Sequence, residues 1–322
     1  MKLKILLLGI LCMAGVAQGQ GRHFKTDILR DTFGFTDATP AAVKMSELVQ
    51  GCPSRDCIQA LDGPPLIGVA DAKYLKDSDL VMAVTVAGKT HVYPTRILVH
   101  HELVNDVVAG TPVAITFCPL CGSGAAYDRR MDGKTTTFGV AGVLHNSDMV
   151  FYDHATNTLW AQVTGEALMG EKTGSKLTPI PVAMAQWGNF KATHPHARVL
   201  STNTGFQVDY TQQHYSEYET SDKIFFPVSA RDARLHVKEI VYGTVIDGTP
   251  VAYTDTWIAQ AQHTDTVGKV PVSIGRNIDG SVAATRTDTG TALVLIRAYW
   301  FAWYTFHTNT LLRAKEPPKH RS

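Results

Sequence analysis

The run "LVMAVTVAGKTHVYPTRILVHHELVNDVVAGTPVAITFCPLCGSGAA", residues 80–126, decides the fold class. Its stretches rich in Val, Thr and Tyr are broken by "AG" at 87–88 and "AGTP" at 109–112. Such stretches make strands, and such breaks make hairpin turns. "AAYDRRMDGKTTTFGVAG" at 125–142 repeats the design with Asp132-Gly133 at its tip. The run also recurs as "IVYGTVIDGTPVAYTDTWIAQAQHTDTVGKVPVSIGRNIDGSVAA", residues 240–284. Gly88 matches Gly248, Tyr93 matches Tyr253, Asp106 matches Asp265, and Pro112 matches Pro271. One pair of long units is not a solenoid array. It predicts a β-rich α+β fold of antiparallel hairpins in two related modules, an internal duplication with a few short helices. Arg276 and Asp279 stand in the second unit where Cys118 and Cys121 stand in the first, so the fold itself does not require the cysteines.

Outward from that run, "TPAAVKMSELVQGC" (39–52) reads as a short helix, with Thr39 as its cap, Pro40 in its first turn and Gly51 at its end. "CPSRDCIQALDGPP" (52–65) is a turn-rich linker, and a second helix is expected over "PVAMAQWGNFKATHP" (181–195), stopped by Pro195. "MKLKILLLGILCMAGVAQGQ" has a basic start, a short apolar stretch and small residues before a polar switch, as in a secretory signal peptide cleaved near Ala17 or Gly19. The stretch is too short to span a membrane, and Cys12 lies within it rather than after a small residue at its end, which argues against a lipid anchor. The expected organisation is a signal peptide (1–19), a leader with a short helix and linker (20–79), a first β-rich module (80–210) and a diverged second module (211–322). The mature protein is expected to be periplasmic or secreted, with no membrane span. A formal charge of +1, with Lys and Arg scattered through 322 residues, supplies no basic stripe for nucleic acid. No nucleotide cofactor is expected.

Export leaves four cysteines: Cys52, Cys57, Cys118 and Cys121. Outside the cytosol these read first as disulfides, and a local Cys52–Cys57 bridge is expected. "CPLCG" also has the shape of a metal knuckle, with two thiolates on one tight turn. Zinc and copper both accept such a pair. A thioredoxin-type redox site would put the first cysteine at a helix N-terminus, whereas here "GSGAAYD" leads into a strand. Covalent haem is excluded because Gly122 occupies the histidine position of C-x-x-C-H. With the hairpin turning at Gly110-Thr111, Leu103 would face Cys118 and His101 would be a diagonal neighbour of Cys118, and so a third ligand. "HELV" opens like the H-E-x-x-H zinc motif but fails at Asn105. His145 and His307 are weaker candidates. Asp148, Asp153, Trp160 and Gln162 form a polar-aromatic group in "SDMVFYDHATNTLWAQ".

"TFCPLCGSGAAYDRRMDGKTTTFGVAG", "NSDMVFYDHATNTLWAQVTGEALMG" and "HELVND" together resemble the bacterial domain-of-unknown-function family 3179, from about residue 46 to "WFAWYTFH". The resemblance implies an exported protein with C-x-x-C at this position and no settled activity. It points to Cys118, Cys121, His101, Asn105, Asp106, Asp128, Arg129, Asp148, Asp153, Trp160 and Gln162. "GCPSRDCIQALDGPP" departs from the family pattern, which favours a private disulfide over a shared four-cysteine zinc site, and other residues are acceptable to the family at His145. Three functional readings stay open: a copper or zinc protein or metalloenzyme acting on an unnamed small molecule, a thiol–disulfide oxidoreductase, and a non-catalytic scaffold stapled by the pair.

Overall fold

The computed structural model describes residues 24–212, 214–259 and 262–315, so the expected signal peptide and Cys12 lie outside the described residues. The protein is β-rich with a few short helices. Leu80–Val86 and Lys89–Pro94 form a hairpin, and the helix Thr95–His101 follows. Leu103–Val108 then pairs with Thr111–Cys118, which pairs with Ser123–Asp128. Both two-residue turns place consecutive residues at positive φ: Ala87 and Gly88 at 45° and 73°, Ala109 and Gly110 at 48° and 83°. Hairpin turns of this kind match the twist of their strands.

The second hairpin turns one residue earlier than the sequence suggests. Leu103 faces Thr116 rather than Cys118. A turn at Gly110-Thr111 would force β-branched Thr111 to positive φ, so the chain uses Ala109-Gly110 instead. His101 is not on the strand at all. It ends the helix, and Glu102 stops that helix at φ 57°.

Two sheets meet over the site. The larger runs, edge to edge, Leu61–Asp62, Leu103–Val108, Thr111–Cys118, Ser123–Asp128, Ile296–Tyr299, Ile240–Ile246, Thr249–Thr254 and Leu311–Arg313. It therefore joins strands from both halves of the chain. The smaller runs Leu48–Gln50, Phe138–His145, Asp148–Asp153, Leu159–Ala161 and Ala167–Met169. Leu103, Ala114, Ala125 and Tyr127 of the first sheet pack with Phe138, Met149, Phe151 and Trp160 of the second, and Cys118 and Cys121 lie in that same core. Asn105 ties the layers together: its amide donates to the Phe138 carbonyl at 2.8 Å and its oxygen accepts from the Phe138 N–H at 3.0 Å.

The helix expected over residues 39–51 is not formed. The segment contains a single 3-10 turn, Met45–Glu47, and then Leu48–Gln50 joins the smaller sheet against Val143–His145. A nonlocal strand partner overrides the local capping signals there. The segment 181–195 divides into the strand Ala183–Gln186 and the helix Trp187–Thr193. The Asp132-Gly133 tip forms as expected between Arg130–Met131 and Lys134–Thr135.

A second series has the same element order. The hairpin of Ile240–Ile246 and Thr249–Thr254 turns at Asp247-Gly248, the short helix Asp255–Ile258 follows, and His263–Val267, Val270–Arg276 and Val282–Arg286 form a meander. In each series the tyrosine of the first hairpin donates to an aspartate of the next strand. Tyr93 reaches Asp106 at 2.6 Å, and Tyr253 reaches Asp265 at 3.0 Å.

Candidate metal centre

Cys118 is the last residue of its strand, and Ser123 faces it across a four-residue loop. The Cys121 N–H donates to the Cys118 carbonyl at 3.2 Å, folding the loop so that the two cysteines approach. Gly122 then needs positive φ (58°), and the Tyr299 ring leaves it no room: a Cβ there would lie 2.8 Å from Tyr299 Cζ. The loop is also bonded to the neighbouring strand, where the Tyr299 N–H donates to the Cys121 carbonyl at 2.8 Å.

Asp148 completes the group from the opposing sheet. It follows the Asn146-Ser147 turn, whose residues have φ of 54° and 66°. The Val163 N–H donates to Asp148 Oδ2 at 3.0 Å, which fixes one carboxylate oxygen. Asp148 Oδ1 is buried with no hydrogen-bond partner, as is the adjacent Ser147 Oγ. One ligand atom each from Cys118, Cys121 and Asp148 lie within 4.8 Å of one another, and the three residues are at most 1% exposed. Cys121 Sγ also lies 3.4 Å from the Ser147 carbonyl.

The electrostatics of the group are unbalanced. Burial raises the Cys118 thiol; its bond with Cys121 opposes that rise, and the charges of Asp148 and Glu102 add to it. Burial raises Cys121 well above a normal thiol, and the bond with Cys118 reinforces it. Burial carries Asp148 to about 7, opposed chiefly by the hydrogen bond it accepts from the Val163 N–H. Burial also carries Glu102 to about 8, with Asp148 contributing. The charged side chains that act most strongly on Cys118 are thus both acidic. A buried set of acids without a counter-charge is costly unless it is protonated or holds a cation.

His101 is not part of this group. Its Nδ1 pairs with the Gln59 carbonyl at 2.8 Å and its Nε2 with the Tyr210 hydroxyl at 2.7 Å, so both ring nitrogens are engaged in another network. The helix that carries it, absent from the hairpin reading, accounts for the difference. His145 faces Asp148 in the strand register, but its ring packs edge-on to Phe306 and its Nδ1 is buried and unpartnered. His307 packs at a tilt against Trp303, and burial lowers it to about 4.

The other named residues build the frame. Gln162 accepts from Ser123 Oγ at 2.8 Å and donates to Thr116 Oγ1 at 3.1 Å, bracing the cysteine hairpin next to the Val163 N–H that holds Asp148. Asp106 is held by Tyr93 and by His91 Nδ1 at 2.9 Å. Arg129 donates to the carbonyls of Val113, Thr136 and Asp106. Asp153 accepts from Trp160 Nε1 at 3.0 Å, and Asp128 pairs with Arg130 at the surface. Cys52 and Cys57 are joined in a disulfide, whereas Cys118 and Cys121 are free, so the four cysteines do not form one zinc set. Glu102 is the site residue that the sequence reading passes over. Its one signal is an acidic residue inside the apolar run "ILVHHELV", read there only as part of a failed zinc motif.

Residues 55–293 match the family described as Protein of unknown function (DUF3179). The chain belongs to this family. The DUF3179 span contains Cys118, Cys121, Asp148 and Glu102, together with the whole of both element series, while Cys52 lies just before it. No curated protein and no solved structure matches the chain.

Proposed function

We propose that this DUF3179 protein is an exported metal-binding protein whose ion, zinc or copper, is held by Cys118, Cys121 and Asp148. One observation carries the reading: Asp148 Oδ1 is a buried, unpartnered carboxylate oxygen beside two free thiols. The donor set fits such an ion. Zinc takes thiolate at about 2.3 Å and carboxylate at about 2.0–2.2 Å, so two thiolates on one tetrahedral ion sit roughly 3.8 Å apart. That lies inside the 4.8 Å spread of the three groups. The thiolates suit Cu(I) equally, and the carboxylate weights the set towards zinc.

Each part of the frame has a role in this reading. The Val163 N–H fixes one Asp148 oxygen and leaves the other free to ligate. Gln162 locks the cysteine hairpin to the segment carrying that N–H. Both thiols would release their protons on binding, and the thiolates and the free Asp148 oxygen would then face a cation rather than one another. Three protein donors are one short of a tetrahedral set, the pattern of zinc sites that act on a substrate. When bound, zinc supplies Lewis acidity and copper one-electron chemistry. Thiol–disulfide exchange is supported less well, because Cys118 ends a strand rather than opening a helix and burial raises both thiols.

The Cys52–Cys57 bridge suits an oxidising compartment, and among the described residues no helix is long and apolar enough to cross a membrane. We further read the two element series as copies of one module. Their common order and the paired Tyr93–Asp106 and Tyr253–Asp265 bonds support this. The test is metal content by mass spectrometry on protein purified without chelator, beside Cys118→Ser/Cys121→Ser. About one equivalent of metal is expected, lost in the double variant. A wild-type protein with no metal would overturn the reading.

A further inference from the structure

A cavity of about 40 Å³ reaches the candidate centre from the side of the disulfide loop. Its ionisable walls are Glu102 and Cys118, and Leu120, Leu144, Met149 and Phe226 are among the rest, which are apolar or glycine apart from the bridged Cys52. By the volume a buried water needs, this is room for about three waters, or for a small molecule of about five or six heavy atoms. Glu102 is 7% exposed. Its backbone is fully used: the N–H donates to the Leu98 carbonyl at 2.7 Å, and the carbonyl accepts from the Phe117 N–H at 2.8 Å. Among the described residues nothing donates to its carboxyl group. The residue also occupies left-handed backbone, at φ 57° and ψ −21°, in place of the glycine that commonly ends a helix. For a non-glycine residue that conformation costs roughly 1–2 kcal/mol, and such strain collects at binding and catalytic sites.

We propose that this cavity binds a small uncharged molecule with an apolar body and one hydrogen-bonding head, and that Glu102 receives the head beside Cys118. An apolar wall with one polar group that the protein does not satisfy is the usual construction of a small-molecule site. The charge of the ligand follows from the walls. They include no basic side chain that could pair with an anion, and apart from Glu102, Cys118 and the bridged Cys52 they are apolar or glycine, which cannot solvate a charge. The proposal rests on the metal-centre reading only for what the head group meets beyond Glu102. The fit of the apolar body stands on the cavity alone.

The probe is 2-methyl-1-propanol, set against isobutyrate, an anion of closely similar shape. Met149 lines the cavity, so its methyl group, ¹³C-labelled, reports entry by NMR. A saturable Met149 shift is expected with the alcohol and none with isobutyrate over the same concentrations. Glu102→Met, which keeps the bulk and removes the hydrogen-bonding head, is expected to weaken alcohol binding roughly tenfold. Glu102→Gln, which keeps such a head, is expected to retain it. Leu144→Trp, at the part-exposed rim, is expected to block entry. No saturable shift, an equal response to isobutyrate, or wild-type binding by Glu102→Met would each overturn the proposal. Running the titrations at measured metal content separates the two readings. A Met149 response in protein that takes up no metal would sink the metal centre and keep the cavity site. Metal uptake without the response would do the reverse.

Discussion

Replacing Asp148 by Asn should change stability in opposite directions with and without metal. In metal-free protein the carboxyl group is 1% exposed, and burial carries it to about 7. An unfolded aspartate titrates near 3.9, so the difference of roughly three units corresponds to about 4 kcal/mol. The folded-state value is raised, so ionisation is disfavoured in the fold. The cost is absent below about pH 4, grows as the pH rises, and is full above about pH 7. Asn carries no such cost, and its side-chain oxygen can still accept from the Val163 N–H. Metal-free Asp148→Asn should therefore be more stable than wild type at pH 7.5, by up to about 4 kcal/mol, and the gap should close towards pH 4.

The difference between the two proteins is the quantity to read. Burial lowers His100, His101, His145 and His307, and protonation of the unfolded chain below about pH 6.5 destabilises both proteins alike. Urea unfolding followed by tryptophan fluorescence, at several pH values after chelator treatment, supplies the numbers. In metal-loaded protein the order should invert. Wild type gains the binding energy, and the variant loses an anionic ligand, at a cost of at least the roughly 10- to 100-fold in affinity seen when outer partners are removed. Equal stability of the two metal-free proteins at every pH would refute the buried, uncompensated carboxyl group on which the metal reading stands.

Gly122→Ala should destabilise the protein by about 2–5 kcal/mol, combining left-handed backbone with a forced shift of the Tyr299 ring; a thermal midpoint within a degree of wild type would contradict that geometry. Cys52→Ser/Cys57→Ser opens a short loop whose closure is worth about 2 kcal/mol by chain entropy, and denaturant unfolding without reductant should show that loss with bound metal unchanged. Arg129→Lys should cost roughly 3 kcal/mol or more, because an ammonium cannot serve the three carbonyls that the guanidinium reaches; an unfolding free energy within 1 kcal/mol of wild type would count against that role.

The hairpins were legible because local chemistry decides them. Ala87-Gly88 and Asp132-Gly133 turn where their composition puts them, and the turn near residue 110 slips by one because Thr111 resists positive φ. The segment 39–51 was not legible as a strand, since its partner is Val143–His145, about a hundred residues away. At the site, two cysteines on one short loop were visible as a pair. Asp148 was visible only as a nearby polar residue, because its closeness to the sulfurs depends on how the two sheets face each other. His101 was misplaced for a related reason. A seven-residue helix ends on it and carries its ring to Gln59 and Tyr210. The same helix stop turns Glu102 towards the cavity, and no periodicity in the sequence announces it.

The second element series supplies an internal comparison for the charge argument. Its meander reaches the corresponding hairpin with Arg276 as the last residue of the strand, the place that Cys118 takes in the first. Arg276 pairs with Asp255 and donates to the Gly280 carbonyl at 2.7 Å, while Asp279 is satisfied by the Ser281 N–H and hydroxyl. There the arginine pairs with a carboxylate and every named acid has a partner, whereas on the cysteine turn Arg297 donates to the Gly122 carbonyl at 2.8 Å and leaves Asp148 Oδ1 unpaired. The first turn has the same backbone task but sets two thiols against a carboxylate with a free oxygen, and its strongest neighbouring charges are acidic. Stability alone would favour an arrangement like that of the second series, since a buried unpaired acid is a net loss. On the proposed reading, an ion at Cys118, Cys121 and Asp148 would turn that loss into binding energy, which a packing fault would not do.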